Sequence, residues 1–296
     1  MENKKISIIF DMETDDPDDF LTLLLLLEHP LVNLKAVTVI PGSQQQIGLV
    51  KKALQWFSKN IPIGSYNINT EKASVSDWHY QAYGDIVPSK DVEPATDVLL
   101  NYCTTDTIIV TGATLRNIEN TIMFAEKERK VFTPLQIVVQ GGFAGEGVVP
   151  TEKQLEKFKG QRTAISHNLS KHPRSVFAVL NYQGFSIRRF VSKNVCHKVV
   201  YDKTMHDYIS KFKQRSLSLK LIWEGMEVFL RNYPTGKMLH DPLAACCAID
   251  PSIAAWLAVD IYQEKGAWGA ALSPSSNTFI IVDYDQDAFL KVFTGT

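Results

Sequence analysis

Short apolar runs rich in β-branched residues alternate with helix-length stretches along most of this chain, and turn residues close each run. Ile6–Phe10 leads to Asp18–Glu28, Leu34–Ile40 to Gln45–Lys59, and Thr107–Val110 to Leu115–Lys130. Leu135–Val139 ends at Gly141-Gly142, while Phe177–Leu180 and Val199–Tyr201 are further expected strands. Strands that alternate with helices need crossover connections, which give a parallel sheet covered on both faces. The expected fold class is α/β, a mainly parallel central sheet flanked by helices. No stretch reads as a linker, so residues 1–296 are expected to form one domain. Ligands of such sheets bind beyond the carboxyl ends of the strands. Asp11–Asp19, Gly42-Ser43, Thr111-Gly112 and Gly141-Gly142 all fall there.

The first of these turns is the most informative. Asp11, Glu13, Asp15, Asp16, Asp18 and Asp19 crowd into nine residues between one apolar run and another, Phe20–Leu27. Carboxylates so close repel unless water or a cation sits among them. Hard divalent ions prefer oxygen ligands, so a metal site at the end of the first strand is one reading. A solvated turn that caps the following helix is the other.

Composition narrows the function classes. Of the 296 residues 45% are hydrophobic and 21% charged, typical of a globular protein. A formal net charge of −1 gives no general field for nucleic acid or an anionic membrane. Cys103, Cys196, Cys246 and Cys247 have no CxxC spacing, and no apolar segment is long enough to span a bilayer. A cytoplasmic enzyme acting on a small molecule, without nucleic-acid or membrane partners, is expected. Two stretches stand outside the strand–helix rhythm: Tyr66–Glu93, polar and aromatic, and Gly145–Arg162, rich in Lys and Glu. Long loops of this kind tend to be functional or mobile.

A second acidic point is His240-Asp241-Pro242, ahead of the helix-like Ala244–Ile249. Asp241 could cap that helix, with Pro242 in its first turn. A neighbouring His is also a natural proton donor to a leaving group. The acidic turn does not fit an EF-hand, whose twelfth position needs Glu and here would be Thr22. Asp11-Met12-Glu13-Thr14 comes close to the opening of haloacid-dehalogenase-type phosphatases, an alternative enzyme reading. No GxGxxG, Walker lysine or Gly-x-Ser-x-Gly elbow is present.

In order and spacing these pieces resemble the inosine–uridine-type nucleoside hydrolases over nearly the whole chain. The family's opening Asp-x-Asp-Pro-Gly-x-Asp-Asp is similar to Asp11-Met-Glu13 followed by Asp18-Asp19. Its Thr-Gly strand end with Leu-Thr-Asn is similar to Thr111-Gly112 and Leu115-Arg116-Asn117, its Gly-Gly to Gly141-Gly142, and its Phe-Asn before Asp-Pro to His167-Asn168 before His172-Pro173. His-Asp-Pro-Leu-Ala is matched outright by His240–Ala244. The resemblance implies a Rossmann-like open sheet of the nucleoside hydrolase type and a Ca2+-dependent N-ribohydrolase acting on a nucleoside. It also implies a homodimer or homotetramer.

Carried over by motif position, Glu13 is metal ligand and base, Asp18 binds ribose, and Asp19, Thr111 and Asp241 bind calcium. Asp11 joins the expected metal ligands, and His240 is the expected acid. Two registers remain for the acidic turn: Glu13 with Asp18 and Asp19, or Asp11 with Asp15 and Asp16. The family's Gly-Asn becomes Gly42-Ser43, and its sugar-binding Glu becomes Ser166. Ribose contacts are therefore expected from Ser43, Ser166, His167, Asn168 or Gln161, and the substrate is expected to be a modified or unusual nucleoside. Trp223 is the expected base-stacking aromatic. The same departures also allow a nucleoside-binding protein that has lost turnover.

Overall fold

The computed structural model describes residues 5–296. An eleven-stranded sheet organises them. Its strands are β1 (Ile6–Met12), β2 (Val32–Val39), β3 (Ile63–Ser65), β4 (Glu93–Pro94), β5 (Ile108–Thr111), β6 (Gln136–Gln140), β7 (Thr163–Ala164), β8 (Ile187–Val191), β11 (Ala254–Glu264), β12 (Ala267–Leu272) and β13 (Thr278–Tyr284), while β9 (Val200–Tyr201) and β10 (Lys237–Met238) form a separate antiparallel pair. The order across the sheet is β4-β3-β2-β1-β5-β6-β8-β13-β11-β12-β7. Strands pair in parallel from β4 through β13, and β11, β12 and β7 complete the edge in antiparallel fashion.

The order reverses between β1 and β5, which is the switch point where such sheets open a crevice. Strand β1 is apolar on both sides because helices cover both faces, and its residues from Ser7 to Met12 are buried. Helix Pro17–Glu28 follows. Asp16 caps it by accepting the Asp18 amide, and Pro17 fits the first helical position, where no amide bond is lost. Its leucines are buried all round between helices Leu217–Asn232 and His240–Ile249. That burial fixes the preceding acidic turn in place.

The expected strand at Phe177–Leu180 is instead part of helix Pro173–Asn181. Pro173 opens that helix, and Val176 and Val179 share its buried face while Phe177 is exposed, a helical spacing. Lys203–Tyr233 is helical in two pieces, Lys203–Ser210 and Leu217–Asn232. Tyr66–Glu93 holds one short helix, Asp77–Tyr83, and Gly145–Arg162 holds only two 3₁₀ turns. No described helix is long and apolar enough to cross a membrane.

Candidate active site

A cleft of about 360 Å³ opens at the carboxyl ends of β1, β5 and β6. Six carboxylates line it: Glu13, Asp15, Asp16, Asp18, Asp19 and Asp241. Ser166, His167, Asn168 and His240 reach it as well.

Asp18 joins the two acidic motifs. One oxygen accepts the backbone amides of His240 at 2.9 Å and Asp241 at 3.3 Å, and the other lies 3.0 Å from the Lys237 ammonium. Burial opposes its ionisation, but Lys237 and the hydrogen bonds it accepts hold its carboxyl below the usual range. Lys237, on β10, is itself nearly enclosed and also lies 3.2 Å from Asp16. Burial works against its charge, yet Asp18 and Asp16 raise its pKa. The ammonium is therefore a fixed cation inside the acidic cluster.

Asp19 and Asp241 have no such partner. Burial, and then the charges of their acidic neighbours, push both well above the ordinary carboxylate value. Asp19 accepts the Glu13 amide at 3.1 Å, whereas Oδ1 of Asp241 is buried with no hydrogen-bond partner. Gly112 is pressed against both: a Cβ there would stand 2.6 Å from Oδ1 of each. A buried carboxylate oxygen left unpaired, as Asp241 Oδ1 is, is costly, and its convergence with Asp19 Oδ1, which holds only the Glu13 amide, suits a hard cation bound through oxygen. Glu13 is pushed to about 7, first by burial and, against the pull of Lys171, by Asp15, Asp16 and Asp18. Asp16, Asp18 and Asp19 also bring carboxylate oxygens within 4.8 Å of one another. The donor set fits a divalent metal.

The remaining expected residues divide. Asp11 is fully buried behind the cleft and accepts Thr38 at 2.7 Å, Asn117 at 2.8 Å and Thr111 at 3.1 Å. Its side chain does not reach the cavity, so it anchors β1 to β2 and β5, and a phosphatase-type nucleophile at this position has no access to substrate. Thr111 spends its hydroxyl on Asp11 and carries Gly112 into the cleft wall. Ser43 is buried as the cap of helix Gln44–Trp56, with its hydroxyl donated to the Ala73 carbonyl, and does not line the cleft. Trp223 stacks on His206 at 4.6 Å, with Lys213 over its ring, away from the cleft. Ser166 accepts the Gly142 amide at 3.0 Å, and Asn168 donates to the Gly112 carbonyl at 2.7 Å and to Gln140 Oε1 at 2.8 Å.

His240 meets the Gln140 side-chain amide at 3.4 Å through Nδ1. Burial, and then Lys237, push its imidazole down to about 4. Sequence reasoning passed over Lys237, Gln140, Lys193 and His197. A lysine three positions ahead of a His-Asp-Pro motif was the one legible signal among them.

The family profile for inosine-uridine preferring nucleoside hydrolases matches residues 8–291. A protein of Aquifex aeolicus (strain VF5) is 28% identical over 288 residues, 94% of each chain. Among solved structures, an inosine-guanosine nucleoside hydrolase superposes with a TM-score of 0.71 at 17% identity, covering 98% of this chain and 97% of that one. A purine-preferring ribonucleoside hydrolase from Gardnerella vaginalis gives 0.69 at 16% identity, with 98% and 97% covered. At such identities the structural likeness speaks for the fold. The profile match spans nearly the whole chain, and the protein belongs to the inosine-uridine preferring nucleoside hydrolase family, a family of N-ribohydrolases.

Proposed function

We propose that the cleft hydrolyses the N-glycosidic bond of a ribonucleoside with a calcium ion held among its carboxylates, releasing free base and ribose. The observation that carries this reading is the unpartnered Oδ1 of Asp241 converging with Asp19 on Gly112. Glu13, Asp19, Asp241 and the Thr111 carbonyl would hold the ion. Bound there, it would lower the pKa of the attacking water.

The chain's own residues supply the rest. Glu13, a carboxyl held near neutrality, takes a proton from that water. Asp18, with Oδ2 taken by two amides and Oδ1 beside Lys237, keeps one lone pair on Oδ1 for a ribose hydroxyl, and the unpartnered Oδ1 of Asn168 is a further acceptor. The surrounding carboxylates favour the oxocarbenium-like state through which the C–N bond breaks. His240 acts on the leaving base. The Gln140 amide and the Cys196 thiol both lie 3.4 Å from its Nδ1 and both can donate there, so the neutral ring carries its N–H on Nε2 and donates a hydrogen bond to the leaving base. Ser166 in place of the family's sugar-binding Glu supports a modified or unusual nucleoside, because a site built for other polar groups discriminates strongly.

Release of reducing sugar from inosine, uridine and a panel of modified nucleosides tests this. Calcium-dependent release abolished by a chelator is expected. No release from any nucleoside, phosphorylated or not, in calcium would overturn the reading, and equal, high rates on the common nucleosides would remove the substrate assignment.

A further inference from the structure

The cleft carries basic groups that hydrolysis of a neutral nucleoside does not use. Lys193 and His197 line it together with Ser166 and His240. The Lys193 ammonium donates to the Ile165 carbonyl at 2.8 Å, which ties it beside Ser166 and leaves two of its protons free. Lys157 Nζ lies 2.8 Å from Nδ1 of His197. An ammonium can only donate, so His197 accepts there and presents its other nitrogen as N–H. Lys157 and Lys193 also share the buried ring of Phe158, at 5.2 and 5.7 Å from its centroid. His167 and Lys171 contribute less, because they already face Glu13 at 3.9 and 3.8 Å.

Where the family is expected to place a carboxylate against the sugar, this chain has the hydroxyl of Ser166 with an ammonium beside it. That exchange reverses the charge this part of the cleft can accept. A glutamate would repel an anionic sugar substituent; Ser166, Lys193 and the His197 N–H would bind one through charge-assisted hydrogen bonds.

We propose that Lys193, with Ser166 and His197, binds a phosphate on the sugar, so that the substrate is a nucleoside 5′-monophosphate. This rests on the hydrolase reading above. Water forms the new bond to C1′ and gives one proton to Glu13. The C1′–N bond breaks with its electron pair going to the base nitrogen, which takes a proton from solvent as Glu13 returns its own to solvent, and the products are the base and ribose 5-phosphate.

The test compares kcat/KM on inosine 5′-monophosphate, on inosine, and on orotidine, whose carboxylate is on the base. The wild type, Lys193→Gln and Lys193→Arg are measured, each in calcium, alongside calorimetric binding of ribose 5-phosphate and ribose. The expected result is at least a roughly tenfold preference for the phosphorylated substrate, largely kept in Lys193→Arg and lost in Lys193→Gln. Inosine used as well as its phosphate, or a preference that Lys193→Gln leaves intact, would overturn the proposal. Preference for orotidine that depends on Lys193 would move the anion to the base and overturn the phosphate assignment. If none of the three releases sugar, the hydrolase reading fails. Tighter binding of ribose 5-phosphate than ribose in the wild type alone would then still uphold the anion site, and equal binding would overturn it.

Discussion

The Asp18 carboxylate accepts the backbone amide of His240 at 2.9 Å, a bond between residues 222 positions apart. Through it the acidic turn after β1 and the His-Asp-Pro turn near the far end of the chain become one rigid unit. Lys237 completes that unit from the side, so the placement of Asp18 and of His240 depends on an ammonium that touches neither water nor the cleft freely. Removing one member of an enclosed ion pair strands the other charge.

Lys237→Met should therefore lower unfolding stability by about 3 kcal/mol at neutral pH, measured by urea denaturation. A loss within experimental error of zero would show that Asp18 is held by the His240 and Asp241 amides alone.

Gly112→Ala places a methyl 2.6 Å from Oδ1 of both Asp19 and Asp241. Both carboxylates must retreat. The variant should fold with a stability loss of about 1–3 kcal/mol but should lose the calcium-dependent rise in Tm that scanning calorimetry is expected to record for the wild type. A variant whose Tm still responds fully to calcium would place the ion elsewhere.

Asp241→Asn separates the metal role from a structural one. Burial and neighbouring charge raise the Asp241 pKa, so its ionised form near neutral pH costs the metal-free protein stability, a cost absent at acid pH where the group is protonated. Without calcium the variant should equal or exceed the wild type in stability, and with calcium it should fall below it. Thermal scans in chelator and in calcium decide this.

His79 gives a pH signature outside the cleft. It is fully buried against Phe20 and Trp78, and burial, offset partly by its backbone hydrogen bond to Ser76, pushes it down to about 4. A depressed histidine contributes fully above its unfolded pKa, and that stability is lost as pH falls from there toward the folded value. Between about pH 7 and about pH 5 the wild type should lose about 2 kcal/mol more than His79→Leu, from a folded value near 4 and an unfolded one near 6.5. Parallel urea-midpoint profiles for the two proteins would remove His79 from the account.

The parts legible in the sequence were those where local chemistry and global fold agree. β1 and the following helix announce themselves through an apolar run, an Asp16-Pro17 start and a leucine-rich body. His240–Ala244 is readable as a motif. Strand β8 is hidden by Arg188 and Arg189 in its interior. The Arg188 guanidinium is buried and donates to the Val179 and Tyr182 carbonyls and to Asn277, a solution invisible to local pattern. The antiparallel strands from Ala254 to Tyr284 have partly exposed faces and break the strand–helix rhythm. Within the acidic turn, Asp11 and Glu13 share strand parity, so period-two alternation would send both the same way. The strand ends at Met12, Glu13 turns into the cleft and Asp11 stays behind it. Lys237 and Asp18 attract each other across more than two hundred residues, and no local pattern reports such a pairing.

The span of the Asp18–His240 bond also bears on how the protein is made. Chains emerge from the ribosome amino end first and begin to fold as they do. The acidic turn is thus synthesised more than two hundred residues ahead of Lys237, His240 and Asp241. A nascent chain that has not yet reached Lys237 and His240 holds the Asp18 carboxylate without its internal counter-charge and without the amide that fixes it, so the acidic turn can take its final geometry only after that distant segment has been made.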